Sequence, residues 1–172
     1  CYLNLTRAVA RKMKVPVHEN DNEIEIERKC LETVLKKYLK TAPEEERQQI
    51  ISIINETEVS VKTEELTRQI RDSTLKLGTL SLLVKEVGAR ATAKVVRKVV
   101  SRIIGRTAAR EASKRAAQVA GFAIPLLNAV MIGWTVWDLA GPAYRKTIPT
   151  VMEIAVLRLE AGENSGATLN SQ

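Results

Sequence analysis

Apolar residues recur along this chain mostly at three- and four-residue intervals, the spacing that lays one buried stripe along an α-helix. Ile24, Leu31, Val34, Leu35 and Tyr38 keep that rhythm, predicting a helix capped by Asn22 or Asp21 and running to about Lys40. The Glu and Ile alternation from Glu23 to Glu27 is strand-like but too short to outweigh the helical rhythm beyond it. Ahead of this helix, Tyr2 to Lys14 reads as a short basic helix and His18 to Asn22 as a polar loop. Pro16 ends the first helix, because the residue before a proline is pushed out of the helical region. Thr41-Ala42-Pro43-Glu44 has capping-box spacing, with the proline early in a third helix whose buried face is Ile50, Ile51, Ile53 and Ile54. Thr63, Glu64 and Glu65 open a fourth, with Leu66, Ile70 and Leu77 on its inner side near Gly78.

From Leu80 onward, Val84, Val87, Ala91, Val95, Val99 and Ile103 mark the inner side of one long helix. Prolines stand only at Pro16, Pro43, Pro125, Pro142 and Pro149, and no convincing strand precedes the tail. The expected fold is an all-α multi-helix bundle forming a single domain over residues 1–161. The small, polar residues 162–172 are expected to be a disordered tail.

Arg90, Lys94, Lys98, Arg102, Arg106, Arg110 and Lys114 are spaced four apart without a miss. Each such step drifts by roughly 40° around a helix, so the row cannot stay on one face. Up to Arg102 the basic residues, Arg97 included, fall within an arc of about 140°, opposite Val95, Val96, Val99, Val100, Ile103 and Ile104. Past Gly105 the basic residues enter the arc the valines had held, and alanines take the other side. Either the helix breaks or bends at Gly105, a hinge position where glycine costs only about 0.5–1 kcal/mol relative to alanine, or its halves pack against different partners.

Composition narrows the chemistry. The chain has 172 residues, only six of them aromatic, so its core is aliphatic. The net charge of +7 is localised. Residues 1–18 carry four basic and no acidic side chains, residues 19–86 eleven and fifteen, residues 90–115 nine and one, and residues 116–172 three and four. The body is acidic-leaning, and the excess sits in a basic N-terminal arm and a 26-residue helical segment. Such a localised field points to an anionic partner, either a protein or a membrane surface. The segment has no interleaved aromatic platform, which disfavours nucleic acid. One His and two Cys exclude a His/Cys metal cage, and no phosphate loop, nucleophile elbow or zinc spacing occurs. No cofactor and no enzymatic activity are expected. His18 reads as a surface residue, Cys30 as a core residue, and Cys1 and Cys30 as free thiols of a cytoplasmic protein.

Residues 116–137 form 22 positions without a charge, near the roughly 20 that cross a bilayer as a helix. Gly121, Pro125, Asn128 and Gly133 divide the stretch into pieces that suit an apolar helical hairpin packed in the bundle. The basic segment before it and Trp134 and Trp137 within it would also suit a membrane interface, so association with the inner membrane is open.

The segment from Gly133 to Pro149, with Trp134, Trp137, Asp138, Gly141, Pro142, Tyr144, Arg145 and Pro149, is the most distinctive in the chain. It resembles the C-terminal signature of the YaaW-like bacterial family, and the likeness continues to Arg158. That family is grouped with the ubiquinol-cytochrome c reductase assembly chaperone domain, an all-helical module. The resemblance implies a helical fold and carries no residue roles over. On physical grounds Gly141-Pro142 is expected to end one helix and Thr147-Ile148-Pro149 to start another, with Asp138 and Arg145 pairing across a packed corner.

Together these features predict a non-enzymatic, chaperone-like interaction module at or near a membrane. It would use Arg90, Lys94, Arg97, Lys98 and Arg102 with the adjoining apolar stretch. The alternative is a membrane-active protein in which residues 116–137 insert.

Overall fold

The computed structural model describes residues 1–56, 63–75, 78–120 and 141–162; the side chains of residues 63, 106–120 and 141–145 lie outside that description. The described residues form seven helices and no strand: α1 Tyr2–Lys12, α2 Glu23–Thr41, α3 Glu44–Asn55, α4 Thr63–Arg71, α5 Thr79–Val87, α6 Ala89–Ala120 and α7 Gly141–Glu160. The all-α multi-helix bundle read from the sequence is the fold.

The middle of the bundle is α2, which packs against α1, α5, α6 and α7. Four neighbours require a wide apolar face, and Ile26, Cys30, Leu31, Val34, Leu35, Tyr38 and Leu39 supply it, all essentially without solvent exposure. A single core cluster draws on all seven helices. Burying one such aliphatic side chain stabilises the fold by about 1.5–3 kcal/mol. Ile148, Val151, Met152, Ala155, Val156 and Leu159 form the buried stripe of α7, which packs on α6, α2 and α1.

The helix ends explain themselves locally. Asn22 caps α2 reciprocally with Glu25, each side chain accepting from the other's backbone N–H at 2.9 and 2.8 Å. At the end of α1, Lys14 takes φ +57°, its N–H reaching Arg11 O and that of Val15 reaching Ala10 O, a Schellman closure that stops the helix at Lys12, four residues before Pro16. Ser73, at φ +56°, closes α4 in the same way, well short of Leu77, which lies outside the described residues.

Three sequence expectations are corrected. Thr41 does not cap α3: it is the last residue of α2, and its hydroxyl donates back to Lys37 O at 3.0 Å, the local bond that β-hydroxyl side chains make inside helices. Pro43 stands at the N-cap itself and no side chain caps α3. The helix expected from Leu80 through Ile103 is two helices, because Gly88 adopts φ +83°, ψ 163°. Its N–H closes α5 on Val84 O and its carbonyl accepts from Thr92, so one glycine ends α5 and begins α6. No helix starts at Thr147-Ile148-Pro149: α7, Gly141–Glu160, continues through Pro149 without a break. The helix expected to end at Gly141-Pro142 would lie outside the described residues. At Pro149 the cost is one lost bond to the carbonyl of Arg145, set against the buried stripe that begins at Ile148.

Gly105 does not interrupt α6. The helix runs from Ala89 to Ala120 through it, and Gly105 is exposed with nothing within 4 Å of where a Cβ would stand. The apolar hairpin expected after Ala120 and the tail after Gly162 lie outside the described residues.

Candidate interaction surface

The first half of α6 is anchored by Ala91, Thr92, Ala93, Val95, Val96, Val99, Val100 and Ile103, all buried, against α2, α3, α5 and α7. This fixes the rotation of the helix and leaves the opposite arc to solvent. Arg90, Lys94 and Arg102 are exposed on that arc, with Lys98 and Arg97 half-buried at its sides. The five residues do not have equal standing. Arg97 donates to Glu160 of α7 at 2.7 Å. Arg102 donates to Gln49 of α3 at 3.1 Å. Arg90, Lys94 and Lys98 take part in no ion pair among the described residues.

Just outside one edge of this arc stands an apolar side chain. Advancing about 100° per residue puts Ile104 within roughly 20° of Arg97 and 40° of Arg90. Expected on the apolar side with the valines, it is instead one of three large apolar side chains open to solvent among the described residues, 38% exposed. The exposed isoleucine therefore flanks the Arg97 edge of the arc, about 80° from Lys94 and 120° from Lys98.

Away from α6, two polar clusters tie helices together and were not visible in the sequence. Glu27 of α2 is fully buried. The Tyr2 hydroxyl donates to its Oε1 at 2.6 Å, and Arg158 of α7 stands with Nε 3.8 Å from Oε2 and its guanidinium 5.7 Å from the Tyr2 ring centre. Burial, then the hydrogen bond to Glu27, push the Tyr2 phenol well above its ordinary range. The second cluster is a cap made at a distance. Glu32 of α2 accepts from the backbone N–H groups of Gly78, Thr79 and Leu80 at 3.0, 2.9 and 2.6 Å, satisfying the start of α5. Neither is periodic in sequence; a glutamate on the apolar side of α2 is the one signal Glu27 gave.

The remaining chemistry-bearing residues have structural roles. His18 is exposed, and its N–H donates to Asp21, whose carboxyl is held below the usual range chiefly by the Lys29 ammonium at 2.5 Å. Cys30 is buried, and desolvation pushes its thiol up to about 12, so it is protonated at neutral pH; Cys1 is exposed. Glu44, Glu45 and Glu46 stand in the first turn of α3, where they complement the helix dipole, and Glu46 accepts from Tyr38. Among the described residues no group of His, Cys, Asp and Glu is arranged to hold a metal, and no helix is long and apolar enough to cross a membrane. A depression of about 330 Å³ on α3, lined by Gln48, Ile51, Ser52, Asn55 and Glu56, offers no base near its one hydroxyl except Glu56 at 3.3 Å.

Trp134, Trp137 and Asp138 lie outside the described residues, as do the side chains of Gly141 to Arg145, so the expected Asp138–Arg145 corner does too. Pro149 is half-buried within α7.

The chain is similar to a UPF0174 protein. That relative, from Helicobacter pylori strain J99, is 30% identical over 165 residues, which cover 92% of this chain and 61% of the relative. The chain thus spans about three fifths of the relative's length, and the relative's name assigns no activity. No family model matches the chain, and no solved structure matches it.

Proposed function

We propose that this chain is a non-enzymatic helical interaction module of chaperone-like type, which engages an apolar segment of a protein partner at or near a membrane. The observation that carries the reading is the solvent arc of α6. Its cations Arg90, Lys94 and Lys98 lack ion-pair partners among the described residues, on a helix whose other side is locked into the core. Directly after the basic segment the sequence carries 22 uncharged residues, 116–137. Charge would bring the module to an anionic surface, and the apolar stretch would meet the partner's apolar segment. The resemblance of residues 133–158 to the YaaW-like family, and through it to an assembly chaperone domain, supports the same reading.

A photoreactive residue in place of Leu127, in the full-length protein in its native cells, tests it. Crosslinks to another protein that fade when Lys94 and Lys98 are changed to Glu are the expected result. Crosslinks to lipid alone, or none, contradict it.

A further inference from the structure

We propose that Arg90, Lys94 and Lys98 form a docking surface for anionic phospholipid headgroups, against which α6 lies lengthwise. This rests on the reading above and adds the chemistry of the surface that the basic arc meets.

The first ground is the form of the charge. Successive cations are about 6 Å apart along the axis and the three span about 12 Å. They are exposed or half-exposed on a convex helix, with no bidentate cradle facing them. Dispersed point charges suit a plane of headgroup phosphates, whereas a single small anion would need convergent donors. Arg97 and Arg102, at the two edges of the arc, are already engaged by Glu160 and Gln49.

The second ground is rigidity. Seven buried residues from Ala91 to Val100 fix the helix, so its backbone adds no ordering cost on docking. A duplex or single-stranded nucleic acid would also meet the charge, but α6 contains no aromatic residue on which a base would stack.

The intact chain is sedimented with vesicles of phosphatidylcholine alone and with vesicles holding about equal parts phosphatidylglycerol. Binding to the second only is expected, falling as salt rises through the range where headgroup attraction is screened. Changing Arg90, Lys94 and Lys98 to Gln should weaken it roughly a hundredfold, about fivefold for each cation lost. Changing Arg11, Lys12 and Lys14 to Gln removes the same net charge from α1 and its end, and should cost far less. Circular dichroism confirms that each variant is folded. No preference for anionic vesicles, or equal losses in the two triple variants, overturns the proposal. Protein crosslinks from position 127 persisting in a chain that ignores vesicles would overturn this proposal alone and leave the interaction reading standing.

Discussion

Arg97 reaches across from α6 to Glu160, near the end of α7, and donates to its carboxylate at 2.7 Å. Both side chains are 41% exposed. The pair fastens the last turn of α7 and takes one cation out of the basic arc. Partial exposure keeps its energy small, because water and salt screen it. A double-mutant cycle with Arg97→Gln and Glu160→Gln, read by chemical denaturation, should give a coupling of about 0.2–1 kcal/mol. A coupling of several kcal/mol would mean that the pair does more than fasten one turn.

Tyr2 and Glu27 behave differently, because Glu27 is fully buried. Tyr2→Phe removes the donor to that carboxylate and should cost about 1–3 kcal/mol at neutral pH. The pH dependence has a definite sign. The phenol is raised in the folded state above its ordinary value of 10.0, so the folded chain keeps a proton that the unfolded chain releases. The stabilisation is fully present below about pH 10 and is lost as pH rises further. Cys30, raised from 9.0 to about 12, acts in the same direction in both proteins and cancels in their difference. The stability gap between wild type and Tyr2→Phe should therefore narrow on passing from pH 9 to pH 11. A gap that stays constant would show that the phenol does not titrate as described.

The three backbone N–H groups held by Glu32 predict an effect out of proportion to its half-exposed position. Glu32→Ala leaves the start of α5 without its cap and should cost about 1–2 kcal/mol. Glu32→Gln keeps one acceptor oxygen and should cost less. Hydrogen exchange at Thr79 and Leu80 should speed up in both variants, and unchanged exchange there would refute the cap.

Two glycines predict opposite signs. Gly88 stands at φ +83°, where a side chain is strained, so Gly88→Ala should destabilise by about 1 kcal/mol or more. Gly105 is an exposed interior helical position with nothing near its missing Cβ, and Gly105→Ala should stabilise by about 0.5–1 kcal/mol. Thermal melts of the two variants decide it. A loss at Gly105 would revive a break there that the continuous helix does not contain.

The fold was legible in the sequence wherever periodicity governed. The Ile24 to Tyr38 rhythm located α2, Asn22 capped it, and the valines of α6 marked its buried side correctly. Boundaries set by single backbone angles were less legible. At Gly88 the apolar rhythm continues across the break because α5 and α6 both face the core, so periodicity alone joined them. At Pro149 a proline, normally a stop, is carried by a helix with six buried residues on one stripe. The basic row was visible as five residues, but the partners that engage Arg97 and Arg102 come from α7 and α3, at separations of 63 and 53 residues, which no local pattern encodes. The Tyr2–Glu27 bond and the Glu32 cap were hidden for the same reason.

If the solvent arc of α6 meets an anionic surface through Lys94 and Lys98 and not through the engaged Arg97, two double variants must differ in their affinity for phosphatidylglycerol-containing vesicles. That comparison is the most direct measurement. Arg97→Gln with Glu160→Gln conserves net charge and should bind within about twofold of wild type, whereas Lys94→Gln with Lys98→Gln should bind about 25-fold more weakly. Equal affinities for the two variants, or an undiminished affinity in the lysine variant, would contradict a lipid-facing role for this arc.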